Sequence, residues 1–70
     1  MSEYLVIYEQ AKDGGWGAYL PDLPGVVALG ATRTEAAERI KEALSAYSED
    51  LQERGETLPA PHHVAGTVLS

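Results

Sequence analysis

The amino-acid sequence predicts an α+β fold in the order β-β-β-α-β, with a three-stranded antiparallel meander ahead of one long helix. Three observations support this prediction. Short apolar runs rich in β-branched and aromatic residues fill much of the first 30 positions, and such runs favour strands. Paired glycines separate the first two runs, where a tight hairpin needs them. From residue 32 onwards the apolar residues recur with the period of a helix.

The first three runs are predicted to form consecutive strands over residues 4–8, 16–20 and 26–29. The Asp-Gly-Gly sequence at 13–15 supplies the positive φ angles of a hairpin turn between the first two strands. Residues 21–25, Pro-Asp-Leu-Pro-Gly, are expected to form a shaped loop, because proline lacks the N–H that a central strand donates. The third strand is expected to end at Gly30.

A helix is predicted from about Arg33 to Arg54. Thr32 and Glu35 have the spacing of a capping box, in which each side chain accepts a hydrogen bond from a free N–H of the first turn. Gly55 stands where a helix C-terminus favours glycine. The apolar stripe of the helix consists of Ala36, Ala37, Ile40, Ala43, Leu44, Tyr47 and Leu51.

A fourth, edge strand is predicted over residues 64–69, after an extended segment that contains Pro59 and Pro61. With a right-handed crossover through the helix, this strand would lie beside the first one. The predicted order of strands in the sheet is therefore 3-2-1-4, with the helix on one face.

Length and charge limit the possible functions. The chain has 70 residues, and we expect residues 1–70 to form a single small domain. Eleven acidic and five basic residues give a net charge of −6, which disfavours direct binding to nucleic acid or to an anionic membrane. The absence of cysteine excludes disulfides and thiolate metal sites. The sequence has no signal-peptide pattern and no apolar run of membrane-spanning length, so we expect a cytoplasmic protein.

The predicted strands are apolar on both faces, although one helix can cover only one face of the sheet. In the first strand, Tyr4, Val6 and Tyr8 alternate with Leu5 and Ile7. We predict that the face without the helix, or an edge of the sheet, packs against another copy in a homodimer or tetramer. Tyr4, Val6 and Tyr8 are assigned to this oligomer face. A monomer with scattered exposed apolar side chains is the alternative.

The sequence contains no pattern typical of catalysis, of a metal site or of a resident cofactor. The carboxylates near the predicted strands, Glu9, Asp13 and Asp22, do not converge as two-metal chemistry requires. His62 and His63 are neighbours on an extended segment, so their rings point to opposite sides and are expected to be exposed. The glycines of the first hairpin precede a strand, whereas a phosphate-binding loop precedes a helix. We therefore predict a non-enzymatic protein with no cofactor.

The Pro-Asp-Leu-Pro-Gly segment at 21–25 is the least generic part of the chain. Its two prolines stiffen it, so little conformational entropy is lost when it binds a partner. A loop that only joins two strands would explain the same residues. The candidate partner-binding residues are this loop and the aromatic residues before it: Trp16, Tyr19, Pro21, Asp22, Leu23 and Pro24.

Residues 14–30 resemble the signature of the HicB-like antitoxin family. That signature is a Gly-aromatic pair, then Ala, then Pro-Asp-Leu-Pro-Gly, then a glycine at the end of the third strand. The Thr-x-x-Glu-Ala sequence at 32–36 resembles the start of the family's helix, and Gly-Glu-Thr-Leu-Pro-Ala-Pro at 55–61 resembles its tail. The resemblance extends over almost the whole chain.

The resemblance implies a partly RNase H-like domain with no catalysis of its own, which binds and blocks a small, basic, mRNA-cleaving toxin of the HicA type. Family members commonly carry a C-terminal DNA-binding module. The sequence ends at Ser70, after the predicted fourth strand, so we expect a short stand-alone member without direct DNA binding. Two alternatives stay open. One is an oligomeric regulator or scaffold with another partner or a small ligand, and the other is a degenerate RNase H-like nuclease.

Overall fold

A computed structural model describes residues 3–69 of the chain. Its elements are β1 (Ile7–Gln10), β2 (Trp16–Leu20), β3 (Leu23–Gly30) and α1 (Arg33–Glu53). The strands form an antiparallel sheet in the order β1-β2-β3, and α1 packs across β3 and β2. The predicted α+β class, the three-stranded meander and the long helix are confirmed.

The turn between β1 and β2 is fixed by local hydrogen bonds. The backbone N–H of Gly14 donates to the Ala11 carbonyl at 3.0 Å, and the Ala11 N–H donates to the Gly15 carbonyl at 2.7 Å. The Asp13 carboxylate accepts a bond from the Gly15 N–H at 2.9 Å. Gly14 has a φ of 93°, a conformation that glycine adopts without steric cost. The sequence prediction of a hairpin turn at 13–15 is confirmed.

The connection between β2 and β3 is shorter than the predicted loop. Leu20 pairs with Leu23, so only Pro21 and Asp22 form the turn, and the prediction of a loop over residues 21–25 is wrong. Pro24 lies inside β3, where it is tolerated because β3 is at an edge of the described sheet and needs no N–H donor there. The pairing register shifts by three residues after Tyr19, and buried Leu23 and Val26 hold the two sides of this irregularity in the core.

Both ends of α1 have the caps that the sequence predicts. The Thr32 hydroxyl accepts a bond from the Glu35 N–H at 3.1 Å, and the Glu35 carboxylate accepts one from the Ala31 N–H at 2.9 Å. At the other end the Gly55 N–H donates to the carbonyl of Gln52 and the Glu56 N–H to that of Leu51, at 3.0 and 2.8 Å. This pair of bonds is a Schellman motif, and Gly55 adopts the positive φ of 74° that it requires.

The core lies between α1 and the inner face of the sheet. It consists of the buried side chains of Ala18, Leu20, Leu23, Val26, Ala36 and Ile40. Gly30 brings the end of β3 directly against the first turn of α1, because a Cβ at this position would lie 2.6 Å from the backbone nitrogen of Ala36. The helix is therefore seated on the sheet through backbone contact, and the small side chain of Ala36 is completely buried there.

The predicted fourth strand over residues 64–69, and with it the order 3-2-1-4, is not formed in this structure. Residues 56–69 contain neither helix nor strand, and the apolar side chains of Val64, Val68 and Leu69 are more than 90% exposed. No described surface of the chain covers these side chains, so nothing stabilises the segment as a strand. The first strand is also displaced from the predicted 4–8 to Ile7–Gln10, because Ile7 is the first residue that pairs with β2.

Replacing Gly30 by alanine should destabilise the fold. The new Cβ would overlap backbone atoms of α1, which no side-chain rotation can relieve. We expect the free energy of unfolding to fall by about 2 kcal/mol, measured by urea denaturation. Gly25→Ala is the matched control, because a Cβ there has no neighbour within 4 Å. Equal losses in the two variants would contradict the proposed role of the β3–α1 contact.

Candidate functional site

The sheet face opposite α1 is an exposed apolar surface. Pairing across the strands aligns Ile7, Tyr19 and Val27 in one row, and Glu9, Gly17 and Leu29 in the next row. Val27 is 63% exposed and Leu29 is 74% exposed. We call this surface the open face. In β3, the buried Val26 alternates with the exposed Val27 and Leu29, so these two side chains point away from the helix.

A groove of about 420 Å³ runs along the open face to the β2–β3 turn. Its walls include the ring of Tyr19, the side chains of Val27 and Leu29, and the prolines Pro21 and Pro24. Most of this lining is apolar, and its prolines and paired strands have little conformational freedom to lose on binding. Such a groove is suited to an apolar side chain or a short apolar segment of a partner.

A second groove, of about 470 Å³, lies at the other end of the same face. It is lined by the first hairpin and the end of β3, including Glu9, Asp13, Trp16 and Leu29. Trp16 is half-buried and packs against the core, so one part of its indole remains accessible. A half-buried tryptophan beside two carboxylates can contact both apolar and cationic groups of a partner.

The β2–β3 turn is connected to the C-terminal segment by Asp22. One carboxylate oxygen of Asp22 lies 2.6 Å from Nδ1 of His63, and the other accepts a bond from the His63 backbone N–H at 3.4 Å. The Asp22 side chain is only 3% exposed, whereas the His63 side chain is 51% exposed. The two residues are 41 positions apart, so this contact holds the C-terminal segment against the β2–β3 turn.

The surroundings of Asp22 favour its charged form. Burial of the carboxyl group acts to raise its pKa. The hydrogen bond from the His63 ring, the backbone N–H of His62, the charge of the His63 ring and the His63 N–H act in the opposite direction. The hydrogen bonds and the charge prevail, and the pKa of Asp22 lies below its ordinary value.

The structure distributes the six predicted partner-binding residues over different environments. Tyr19, Pro21 and Pro24 line the groove along the open face, and Trp16 lines the groove at the first hairpin. The remaining two have little surface to offer a partner. Leu23 is 2% exposed and belongs to the core, and the carboxylate of Asp22 is occupied by His63.

Tyr4, Val6 and Tyr8, which the sequence analysis assigned to the oligomer face, lie on the side of the sheet that carries the helix. All three pack against the core cluster. They line a cleft of about 220 Å³ beside α1, and the Arg33 guanidinium stacks 4.9 Å from the centre of the Tyr8 ring. Their assignment to a face without the helix is corrected: alternation along the chain is the same for both faces and does not identify the one that α1 covers.

The outer surface of α1 is acidic. Glu38, Glu42 and Glu49 line a shallow depression there, together with Lys41. Within residues 3–69 no three histidine or carboxylate side chains come close enough to hold a metal ion. No helix in this part of the chain is both long and apolar enough to cross a membrane.

The contact of His63 with Asp22 was missed in the sequence analysis, which expected exposed loop histidines. Neither residue belongs to a short motif that would pair them. The available signal was an acidic residue next to Pro21 in a stiff segment, and the prolines at 59 and 61, which hold the later segment extended. These features define two rigid pieces, but not their relative position.

Comparison with known structures supports the fold. The crystal structure of the N-terminal domain of the antitoxin HicB from Burkholderia pseudomallei superimposes with a TM-score of 0.69 and 28% sequence identity. The match covers 93% of this chain and 69% of that chain. The matched domain is part of an antitoxin, so the fold of this chain resembles that of a component of a toxin-antitoxin system.

The family model described as "HicB_like antitoxin of bacterial toxin-antitoxin system" matches residues 4–69. The chain therefore belongs to the HicB-like antitoxin family, as its sequence motifs indicated. It is also 40% identical over 57 residues to UPF0150 protein Ta0767 of Thermoplasma acidophilum, covering 81% of this chain and 83% of the relative. UPF0150 protein ssr1765 of Synechocystis is 38% identical over 56 residues, covering 80% of this chain and 71% of the relative.

The lowered pKa of Asp22 predicts how acid affects stability. Because the folded pKa is below the unfolded value of about 3.9, this group stabilises the fold above the unfolded pKa, and the contribution is lost as pH falls through the folded pKa. Urea unfolding of the native chain and of Asp22→Asn should therefore show an advantage of the native chain at pH 6 that disappears near pH 2. An advantage that persists unchanged at pH 2 would contradict the ion pair.

Proposed function

We propose that this protein is the antitoxin of a HicAB-type pair, which binds and neutralises a small mRNA-cleaving toxin without catalysis of its own. The observation that carries the proposal is the match of residues 4–69 to the HicB-like antitoxin family. The apolar open face with its two grooves supports a binding function, because large exposed apolar surfaces on small proteins commonly mark interaction sites. We place the protein in the cytoplasm, where mRNA is available.

The charge of the chain supports this choice of partner. A ribonuclease that binds RNA through its phosphates needs basic residues on its surface. The net charge of −6 would attract such a protein and accelerate the encounter. Acidic side chains of the antitoxin could then occupy the positions of the RNA phosphates, so that binding and inhibition have the same physical basis.

We propose the groove along the open face and the accessible part of Trp16 as the toxin contact. Tyr19, Pro21 and Pro24 would supply rigid apolar area, with Trp16 as the aromatic anchor at the other groove. Asp22 and Leu23 would contribute indirectly, since they fix the shape of the β2–β3 turn from below.

The decisive experiment is co-expression with the neighbouring open reading frame. A basic frame of roughly 60–80 residues with a central histidine should arrest growth when expressed alone, and this chain should restore growth and co-purify with it. The double variant Tyr19→Ala/Pro24→Ala should weaken binding by at least about tenfold, measured by calorimetry. Gln52→Ala, on the exposed side of α1, is the control and should bind normally. Full rescue by the double variant, or no small basic partner recovered from native cells, would contradict the proposal.

A stand-alone oligomeric regulator or scaffold is the second candidate, and the apolar open face is the observation that favours it. The co-expression experiment separates the two functions, because a scaffold with another partner would not relieve toxicity. A degenerate nuclease receives no support from the described residues, where no three candidate metal ligands converge.

We also propose that, in the absence of the toxin, the chain forms a homodimer or tetramer through the open face, with the contacts moved from Tyr4, Val6 and Tyr8 to Val27 and Leu29. Because Val27 and Leu29 also line the groove proposed for the toxin, self-association and toxin binding would compete for the same surface. Light scattering should give two or four times the 7.5 kDa mass of one chain. Val27→Glu/Leu29→Glu should shift the protein to the monomer, because charges would be buried without partners. Ser45→Glu, on the outer side of α1, is the control. A monomeric native chain would refute self-association.

A further inference from the structure

The contact between Asp22 and His63 joins two segments that have few other connections. The C-terminal segment leaves α1 at Gly55, and residues 56–69 form no regular structure. Leu58 packs against the core, and the Tyr4 hydroxyl donates a hydrogen bond to the carbonyl of Pro59. Further along, the Asp22 carboxylate is hydrogen-bonded to Nδ1 of the His63 ring and accepts a hydrogen bond from the His63 backbone N–H. Of the residues that make these contacts, Leu58, Pro59 and His63, His63 lies farthest along the chain, and it therefore anchors the later part of the segment.

The two side chains of this contact differ in their exposure to solvent. The Asp22 side chain is almost completely covered, whereas half of the His63 side chain is in solvent and free to exchange a proton. Covering a carboxylate in this way is costly unless hydrogen bonds and a nearby positive charge compensate. The segment supplies hydrogen bonds from His62 and His63, but the positive charge can come only from the His63 ring, so covering the carboxylate depends on the charge that this ring carries.

We propose that Asp22 and His63 form a pH-sensitive latch, which holds the C-terminal segment against the β2–β3 turn when the imidazole is protonated and releases it when the imidazole is neutral. A protonated ring makes a charge-assisted bond to the carboxylate at Nδ1. A neutral ring makes only a weaker bond, and only in the tautomer that carries its proton on Nδ1. Histidine is the side chain whose charge ordinarily changes between about pH 5 and 8.

Neighbouring groups determine the direction of this response. Glu3 and Tyr4 line a cleft of about 310 Å³ together with His63 and Val64, and the backbone of His62 donates to Asp22. Glu3 is the acidic residue that shares this cleft with His63, and the latch itself depends on the charges of Asp22 and of the imidazole. Acidification below the pKa of Asp22 removes the carboxylate charge, so the latch is closed at mildly acidic pH and opens on either side.

Opening would change the surface at the end of the open face. The Asp22 carboxylate would become available beside Pro21 and Pro24, and the segment that carries the exposed Val64, Val68 and Leu69 would be released. The accessibility of the β2–β3 turn would then depend on pH. This inference stands on the Asp22–His63 geometry and does not require a toxin partner.

The test is a measurement of amide hydrogen-exchange protection at His63 and Val64 by nuclear magnetic resonance on the full chain between pH 6 and 8.5. Protection factors divide out the intrinsic pH dependence of exchange. For the native chain we expect protection at His63 to fall roughly fivefold across this range, while protection in β2 stays constant.

Three variants separate the latch from general instability. His63→Asn keeps a neutral donor near Nδ1, so protection should be low and independent of pH, and Asp22→Asn should give the same result. His62→Asn is the matched control and should keep the native pH profile. A native profile without pH dependence, a native profile retained in His63→Asn, or a profile lost in His62→Asn would each overturn the proposal. His63 is exposed, so its replacement is readable even if Asp22→Asn folds poorly.

Discussion

The backbone contact between Gly30 and Ala36 determines the arrangement of this protein. Only Ala31 and Thr32 separate β3 from α1, so the helix has to begin directly at the end of the strand. The absence of a side chain at Gly30 lets the first turn lie against the sheet, and the cap at Thr32 sets the direction in which α1 continues. The 21 residues of α1 form one helix about 32 Å long. Because it continues across the face on which it begins, it covers that face of the sheet and not the other.

Because α1 covers only one face, the two faces of the sheet have different roles. The inner face places Ala18 and Leu20 beneath α1 and contributes buried apolar side chains to the small core of this 70-residue chain. The outer face keeps Val27 and Leu29 in solvent, which gives a small protein an apolar surface at the expense of its own core. The same two-residue turn that ends β2 also fixes Asp22 at the junction of this surface with the C-terminal segment, so binding surface and tail meet at one point.

Local chemistry made much of the fold predictable, and long-range contacts account for what was missed. The Asp-Gly-Gly turn, the cap at Thr32 and the glycine after α1 act within a few residues, and the structure has all of them. The β2–β3 loop was predicted too long because Pro24 was judged unable to continue a central strand, whereas the position of β3 at the edge of the described sheet permits a proline. Alternation identified the two faces of the predicted first strand, residues 4–8, but not which one the helix covers, so Tyr4, Val6 and Tyr8 were misplaced. The pairing of Asp22 with His63 spans 41 positions, and no local pattern encodes it.

Pro24 also has a consequence for how copies of the chain can join. An edge strand offers a row of free N–H and C=O groups, which invites uncontrolled growth of a sheet from one molecule to the next. In β3 the proline interrupts that row because it has no N–H, and the shift of the pairing register between β2 and β3 makes the ladder irregular near Leu23. This side of the molecule is therefore guarded against aggregation by strand addition, and the apolar open face can stay exposed next to an edge that does not polymerise.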